Sequence, residues 1–359
     1  MSEVRRSHGF PLNVAVRSDV GRVRANNEDS FGHAWLDDGS LFVIVADGMG
    51  GHEAGEVASG LAVRVLEDAV ARDSGQDPRE RLYHGLLEAN EAILEEGRRS
   101  GTRGMGTTAV ASIFRGSEVH VGLIGDSRLY HVRRGQLVWR TLDHTRVQML
   151  IERGEITEEA ARNHPEAGML TRALGHSRMA DGQPLVPDVL ADPLTLQEND
   201  ALIFCSDGLH DLVDDWEVAK VVAGKAPGEA AEKLVELANE RGGHDNVTVA
   251  VVVAGERTEA FDSDYVPENY LPDRPENTFD DESGRETLDP PDDVDRAPAA
   301  AAPASSRTPG TSSTRLPPPE KKRGGVGIWM LVAGALAALV FLAGAISLGA
   351  VIGLWFMAG

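Results

Sequence analysis

The sequence predicts an α+β domain in which β-sheets are covered by helices. Three observations lead there. Short apolar runs recur at close spacing between Arg-Gly and Gly-Asp-Ser turn signals, the pattern of an antiparallel meander. Long amphipathic stretches with a helical period lie between those runs. After about residue 256 the apolar periodicity stops, which bounds the globular part.

Residues 12–17 alternate weakly, and a polar loop follows from Ser18 to Asn27. Leu41–Ala46 is a continuous apolar run and reads as a buried strand. Glu53 to about Ala71 is a helix, with Val57, Leu61, Val65 and Leu66 expected on its buried face. Arg79–Arg98 is a second, through Leu82, Leu86, Leu87 and Ile93. Thr107–Phe114, Glu118–Ile124, Arg128–Arg133 and Gln136–Arg140 are short strands. Thr145–Arg153 and Thr157–Asn163 are short helices joined by Gly154. Ala201–Cys205 is a strand, Trp216–Val222 and Gly228–Arg241 are helices, and Val247–Val253 is a final core strand.

Beyond this the composition changes. Arg257–Arg296 holds fourteen acidic residues against four arginines, a net of −10 out of a formal −22 for the chain. Ala297–Glu320 is rich in Ala, Pro, Ser and Thr. Neither part can bury enough apolar surface to offset ordering entropy, so residues 257–323 read as a disordered linker. No basic stripe occurs in the first 256 residues, which argues against nucleic-acid binding. Lys321-Lys322-Arg323 precedes 326–357, an uncharged apolar stretch of 32 residues with Trp329 and Trp355 near its ends. About 20 residues cross a bilayer, so this is expected to be a transmembrane helix. The basic triplet places the N-terminal side in the cytoplasm, which implies a single-pass protein of the inner or plasma membrane. The N-terminus has no signal-peptide core. Cys205, the single cysteine, excludes an internal disulfide and reads as core packing.

Four aspartates stand at the ends of apolar runs: Asp47 after Leu41–Ala46, Asp126 after Val121–Gly125, Asp207 after Leu202–Ser206, and Asp245 before Asn246–Val249. Each alone reads as a turn residue. Together, carboxylates converging from strand ends would repel one another and leave lone pairs unmatched. A hard divalent cation such as Mg²⁺ or Mn²⁺ resolves both problems.

The segments around them are Arg24-Ala25-Asn26-Asn27-Glu28-Asp29, Ala46-Asp47-Gly48-Met49-Gly50-Gly51-His52, Gly104-Met105-Gly106-Thr107-Thr108, Ile124-Gly125-Asp126-Ser127-Arg128, Asp143-His144-Thr145, Cys205-Ser206-Asp207-Gly208 and Gly243-His244-Asp245-Asn246-Val247-Thr248. In this order they resemble the metal-dependent protein phosphatase family, PPM or protein phosphatase 2C, in its bacterial serine/threonine branch. The resemblance spans residues 10–256 and implies a four-layer α/β/β/α sandwich with metals at one end. It implies that Asp47 bridges two catalytic ions, with the Gly48 carbonyl on one of them. Asp207 and Asp245 complete the first ion's ligands, and Glu28 and Asp29 approach the second. Asp126 resembles the ligand of a weaker third ion, and Arg24 the phosphate-binding arginine. Catalysis then rests on Asp47, Asp207 and Asp245 acting through metal-bound water that attacks phosphorus in line, with no covalent phosphoenzyme.

Met49 departs from the eukaryotic pattern, which has a histidine after the Asp-Gly pair. The leaving group's proton then falls to metal-bound water. His52, His144 and His164 read as structural, and Thr107-Thr108 and Ser127-Arg128 as strand-end packing. Arg146–Ala173, broken by Gly154, Gly168 and His164-Pro165, resembles the family's flap and is the expected place for substrate selection. The implied activity is a membrane-tethered Mn²⁺- or Mg²⁺-dependent protein serine/threonine phosphatase. Its implied partners are phosphoproteins, among them serine/threonine kinases and their substrates. The alternatives are a catalytically inactive binding module, against which the full acidic set counts, and a metal-dependent hydrolase of small phosphoesters.

Overall fold

Strands in which every residue is apolar need cover on both faces, and two stacked sheets between helices supply it. The structure is a computed structural model that describes residues 4–50, 54–72 and 75–255. His52, the acidic linker and the 326–357 span lie outside the described residues. Among the described residues no helix is long and apolar enough to cross a membrane.

The elements run in the order β1 (Arg5–Ser7), β2 (Phe10–Asp19), β3 (Asp29–Trp35), β4 (Leu41–Met49), α1 (Ala54–Arg72), α2 (Pro78–Ser100), β5 (Gly106–Thr107), β6 (Ala109–Arg115), β7 (Glu118–Ile124), β8 (Arg128–Arg133) and β9 (Gln136–Arg140). There follow α3 (Arg146–Glu152), α4 (Glu158–Arg162), β10 (Asp188–Val189), β11 (Leu194–Thr195), β12 (Ala201–Cys205), α5 (Asp207–His210), α6 (Asp215–Val222), α7 (Pro227–Glu240) and β13 (Val247–Ala254). One sheet has the order β1-β2-β13-β12-β8-β9. The other has the order β10-β7-β6-β4-β3, with β11 on β7 and β5 on β4. All their pairings are antiparallel.

Alternation along each strand builds the layers. Leu41, Val43 and Val45 of β4 face Leu202 and Phe204 of β12 and Ala250 and Val252 of β13 in the core between the sheets. Phe114 and Phe204 meet there with ring centroids 6.4 Å apart. The other faces of the same strands are covered by helices. Phe42, Ile44 and Ala46 pack under α1 and α2, and Ile203, Cys205, Val249 and Val251 pack under α5, α6 and α7. The expected four layers are therefore present, and Cys205 is a core residue.

Two details differ from the sequence reading. On α1 the buried face is Ala54, Gly55, Ala58, Ser59, Ala62, Val63, Leu66, Ala69 and Val70, while Val57 is exposed. The buried face is thus built mostly of small residues, where the sequence pattern points to Val57, Leu61, Val65 and Leu66. The small residues are buried because α1 lies close to both the sheet and α2: a Cβ on Gly32 of β3 would sit 2.8 Å from Val63 Cγ1, and one on Gly85 of α2 would sit 2.3 Å from Leu66 Cδ1. Strand β3 is not among the elements that the sequence pattern predicts. Its Asp-Ser-Phe-Gly-His-Ala-Trp run has no clean alternation, and it forms by pairing with β4 from Asp29↔Asp47 to Trp35↔Leu41. The loop expected from Ser18 begins two residues later, because Ser18 and Asp19 still pair with Thr248 and Val247.

Candidate metal centre

Antiparallel pairing brings the C-terminal end of one strand beside the N-terminal end of the next. Asp29, at the start of β3, is therefore the register partner of Asp47, near the end of β4. In the other sheet, Cys205 at the end of β12 lies between Arg128 at the start of β8 and Val249 near the start of β13. Asp207 leaves β12 at the same end from which Asp126 enters β8 and Asp245 enters β13. Both sheets thus deliver their acids to one rim of the sandwich.

The charges respond to that crowding. Burial, then Asp207, Asp29 and Asp126, hold the Asp47 carboxyl well above the usual carboxylate range. Burial, then Asp126, Asp211 and Asp245, do the same to Asp207. Burial pushes Asp29 up to about 6, against hydrogen bonds from Thr248 and Ser206 and with Asp245 and Glu28 adding repulsion. Burial and the neighbouring Asp143 push Asp126 up to about 7, with Arg128 opposing. Asp47 and Asp207 nevertheless keep intermediate exposure, so they line an opening and are not sealed in the core.

Asp29 Oδ1 and Asp207 Oδ1 are buried without a hydrogen-bond partner. Unmatched carboxylate oxygens among mutually repelling acids are what a hard divalent cation satisfies, so the residues fit such ions. The cluster is gathered but not closed. Among the described residues no group of three or more acidic, histidine or cysteine side chains is arranged to hold a metal ion as it stands. Arg24, expected to grip phosphate, instead donates from Nη2 to Asp245 Oδ2 at 2.6 Å. Glu28 acts on both Arg24 and Asp29 through its charge.

Backbone contacts set the acids in place. A Cβ on Gly48 would lie 2.2 Å from the Gly55 carbonyl oxygen and 2.5 Å from that of Glu28, so only glycine fits between β3, β4 and α1. Gly208 is confined in the same way, 2.0 Å from the Asn246 carbonyl oxygen. Thr107 Oγ1 and the Thr108 N–H both donate to Asp47 O, at 2.8 and 2.9 Å, and the Asp47 N–H donates to Thr108 Oγ1 at 3.0 Å. Strand-end packing is thus their role, and it fixes Asp47. Ser206 Oγ donates to Asp29 Oδ2 at 2.8 Å.

Four supporting groups are not among the residues that the sequence singles out as ion ligands or phosphate contacts. Asn246 accepts the Glu28 N–H on Oδ1 and donates from Nδ2 to Val20 O and Asn26 O, tying the 20–28 loop to β13. The segment Gly243–Thr248 contains it, without indicating this role. Arg128 makes a two-pronged pair with Asp143, at 2.8 and 2.6 Å, and reaches Asp215 at 3.4 Å. His210 donates from Nε2 to Asp126 O at 3.0 Å, and burial and Arg128 push it down to about 4. Asp188, from a loop without periodicity, accepts from His144 Nε2 at 3.0 Å and from Arg172. Burial raises its carboxyl, but those two partners bring it down to about 2. His164 is structural, accepting the Glu166 N–H on Nδ1.

A two-sheet sandwich whose two sheets deliver acids to one rim is the architecture expected of the metal-dependent phosphatase class. Residues 18–247 match protein phosphatase 2C. The chain is 39% identical over 247 residues to the serine/threonine phosphatase stp of Listeria monocytogenes, covering 67% of this chain and 95% of that protein. It is 40% identical over 245 residues to the serine/threonine protein phosphatase PstP of Mycobacterium tuberculosis, covering 67% of this chain and 44% of that protein. The crystal structure of Mycobacterium tuberculosis PstP superposes with a TM-score of 0.61 at 37% identity, over 68% of this chain and 99% of that one. A structure of the PstP catalytic domain in complex with 2 manganese ions gives 0.59 at 37% identity, over 68% and 99% of the two chains. The chain belongs to the protein phosphatase 2C family. It is a serine/threonine protein phosphatase, a hydrolase of phosphoric monoesters.

Proposed function

We propose that this phosphatase removes phosphate from phosphoserine and phosphothreonine of proteins at the rim formed by Asp47, Asp207 and Asp245, beside the cytoplasmic face of a membrane. The observation that carries the site is the convergence of these acids, with Asp29 Oδ1 and Asp207 Oδ1 left unpartnered. Asp47, Asp207 and Asp245 would hold the first cation. Asp47 with the Gly48 carbonyl, Glu28 and Asp29 would hold the second, and Asp126 with Asp207 a weaker third. The cations supply charge neutralisation and an activated water for attack on phosphorus. Arg24 is more than half exposed, so it can swing from Asp245 to the non-bridging oxygens of a phosphate, where a guanidinium fork fits two of them. Met49 has no proton to give a leaving group.

The tether is supported by the basic triplet Lys321-Lys322-Arg323 and the uncharged 326–357 stretch. Kinases of the same membrane and their targets are the proposed substrates. A linker of about 65 residues with coil statistics reaches on the order of 45 Å, which raises effective concentration near the membrane.

Turnover of p-nitrophenyl phosphate and of a phosphothreonine peptide, with and without Mn²⁺, tests the chemistry against the bis-ester of p-nitrophenol. Mn²⁺-dependent hydrolysis of monoester and peptide alone is expected. Preference for the bis-ester would replace this reading with a small phosphodiesterase. Fractionation of cells tests the tether, and full-length protein in the soluble fraction would remove it.

A further inference from the structure

The turn that carries Asp126 is held by a histidine that the reaction does not use. Gly125 lies at φ +101°, and a Cβ there would come within 2.6 Å of Thr108 Cβ, so the turn is open only to glycine. His144 grips this glycine on both sides. The Gly125 N–H donates to His144 Nδ1 at 3.1 Å, and the His144 N–H donates to Gly125 O at 2.9 Å. Because Nδ1 accepts, the ring proton is on Nε2, which donates to Asp188 Oδ2 at 3.0 Å. Asp188 Oδ1 accepts from Arg172 Nη1 at 2.5 Å, and the Thr171 N–H donates to His144 O at 2.7 Å. Asp188 is itself paired in register with Leu123, two residues before Gly125.

We propose that His144, oriented by Asp188 and Arg172, is a positioning residue for the Asp126 carboxylate and thereby sets the affinity of the weakest cation. The inference rests on the reading of Asp126 as a cation ligand. Its geometric basis is the Gly125–Asp126 peptide. The Gly125 carbonyl belongs to that peptide plane, so the His144 N–H fixes the direction in which Asp126 leaves the strand. The ring bond to the Gly125 N–H fixes the preceding plane. Without the pair of bonds the glycine is free to rotate, and the carboxylate loses its aim toward Asp207 and Asp47, on both of which its charge acts. Arg172 and Thr171 bring the C-terminal end of the 146–173 segment into the same chain of hydrogen bonds. Partners of this kind around a metal ligand are typically worth 10–100-fold in metal affinity.

Calorimetric Mn²⁺ titration of full-length protein, alongside kcat at limiting Mn²⁺, tests this. The variants are Asp126→Ala, His144→Ala, Asp188→Asn and the double variant Asp126→Ala/His144→Ala. Expected is a loss of roughly 10–100-fold in the weakest binding event in His144→Ala, with the tighter events unchanged. A smaller loss is expected in Asp188→Asn, and the double variant should match Asp126→Ala alone. Unchanged weak binding in His144→Ala, where Asp126→Ala abolishes it, overturns the positioning role and leaves the ligand role of Asp126 intact. Additive losses in the double variant also overturn it. No change in Asp126→Ala overturns the ligand reading and this inference with it. Should His144→Ala not fold, nitrogen NMR of the parent decides. A protonated Nε2 and bare Nδ1 are expected for His144, and a protonated Nδ1 is incompatible with the grip on Gly125.

Discussion

Asp47 and Asp207 are each held above the usual carboxylate range by burial and by the neighbouring acids that would share a cation with them. Asp47→Ala and Asp207→Ala are therefore expected to abolish Mn²⁺-dependent turnover, because each removes a carboxylate from the pair. The fold should survive, since the core strands are complete without these side chains. In chelator, Asp47→Asn should melt no lower than the parent, as it relieves repulsion among buried acids. Thermal melts with EDTA and p-nitrophenyl phosphate assays with Mn²⁺ check both halves. Wild-type turnover of Asp47→Ala in saturating Mn²⁺ would refute the assignment. Arg24→Ala should raise KM for a phosphopeptide by roughly 10–150-fold, the equivalent of about 1.5–3 kcal/mol for one charge-assisted contact. Mn²⁺ binding should not weaken, because the change only frees Asp245 from its ion pair. A normal KM with impaired Mn²⁺ binding would give Arg24 another role. These acids were visible in the sequence because each ends an apolar run. The supporting roles of Asn246 and Asp188 were not, since they rest on hydrogen bonds to Glu28 and His144 at 218 and 44 positions' separation.

Helix α5 begins at Asp207, and its distance from β13 is set by Gly208 lying against the Asn246 carbonyl. Gly208→Ala is expected to push the two apart, costing about 1–3 kcal/mol of stability as overpacking does. Turnover should fall further than that loss alone accounts for, because Asp207 moves with the helix. Urea unfolding and kcat on the same sample separate the two effects, and unchanged kcat would show that α5 tolerates the shift. At the other end of β12, away from the rim, Asp200 ties β12 to β8. Arg133 donates to both its oxygens at 2.9 and 2.7 Å, and His131 Nε2 donates to Oδ2 at 2.8 Å. Burial raises its carboxyl, but these bonds outweigh that and bring it down to about 2. A carboxyl lowered on folding stabilises above its unfolded value and loses that contribution as pH falls through the folded one. Asp200→Asn should therefore melt below the parent at pH 5 to 7, with the gap closing between about pH 4 and pH 2. A gap that persists unchanged at pH 2 would mean that charge is not what Asp200 contributes.

All the motifs of the site lie before residue 256, and the two sheets are complete at Ala254. Residues 1–256 are therefore expected to fold and to hydrolyse p-nitrophenyl phosphate at the rate of the full-length protein. An inactive or aggregated 1–256 fragment would show that later residues belong to the catalytic domain. With the full-length protein, activity on a vesicle-bound phosphopeptide should exceed that of the fragment, while rates on a soluble peptide match.

Sequence alone determined the class of fold. Composition and periodicity are local quantities, and strand ends can be read from where an apolar run stops. It also determined that the run at 41–46 is a buried strand, since it is apolar at every position. Only the tertiary structure decided that β3 is a strand, because its pairing with β4 offsets a run of weak intrinsic preference. Only it decided that α1 turns Ala, Gly and Ser inward and Val57 outward, because close approach of backbones rewards small volume over hydrophobicity. The link from Arg172 through Asp188 and His144 to Gly125 was likewise beyond the sequence, since a hydrogen bond between distant positions leaves no mark on either local pattern.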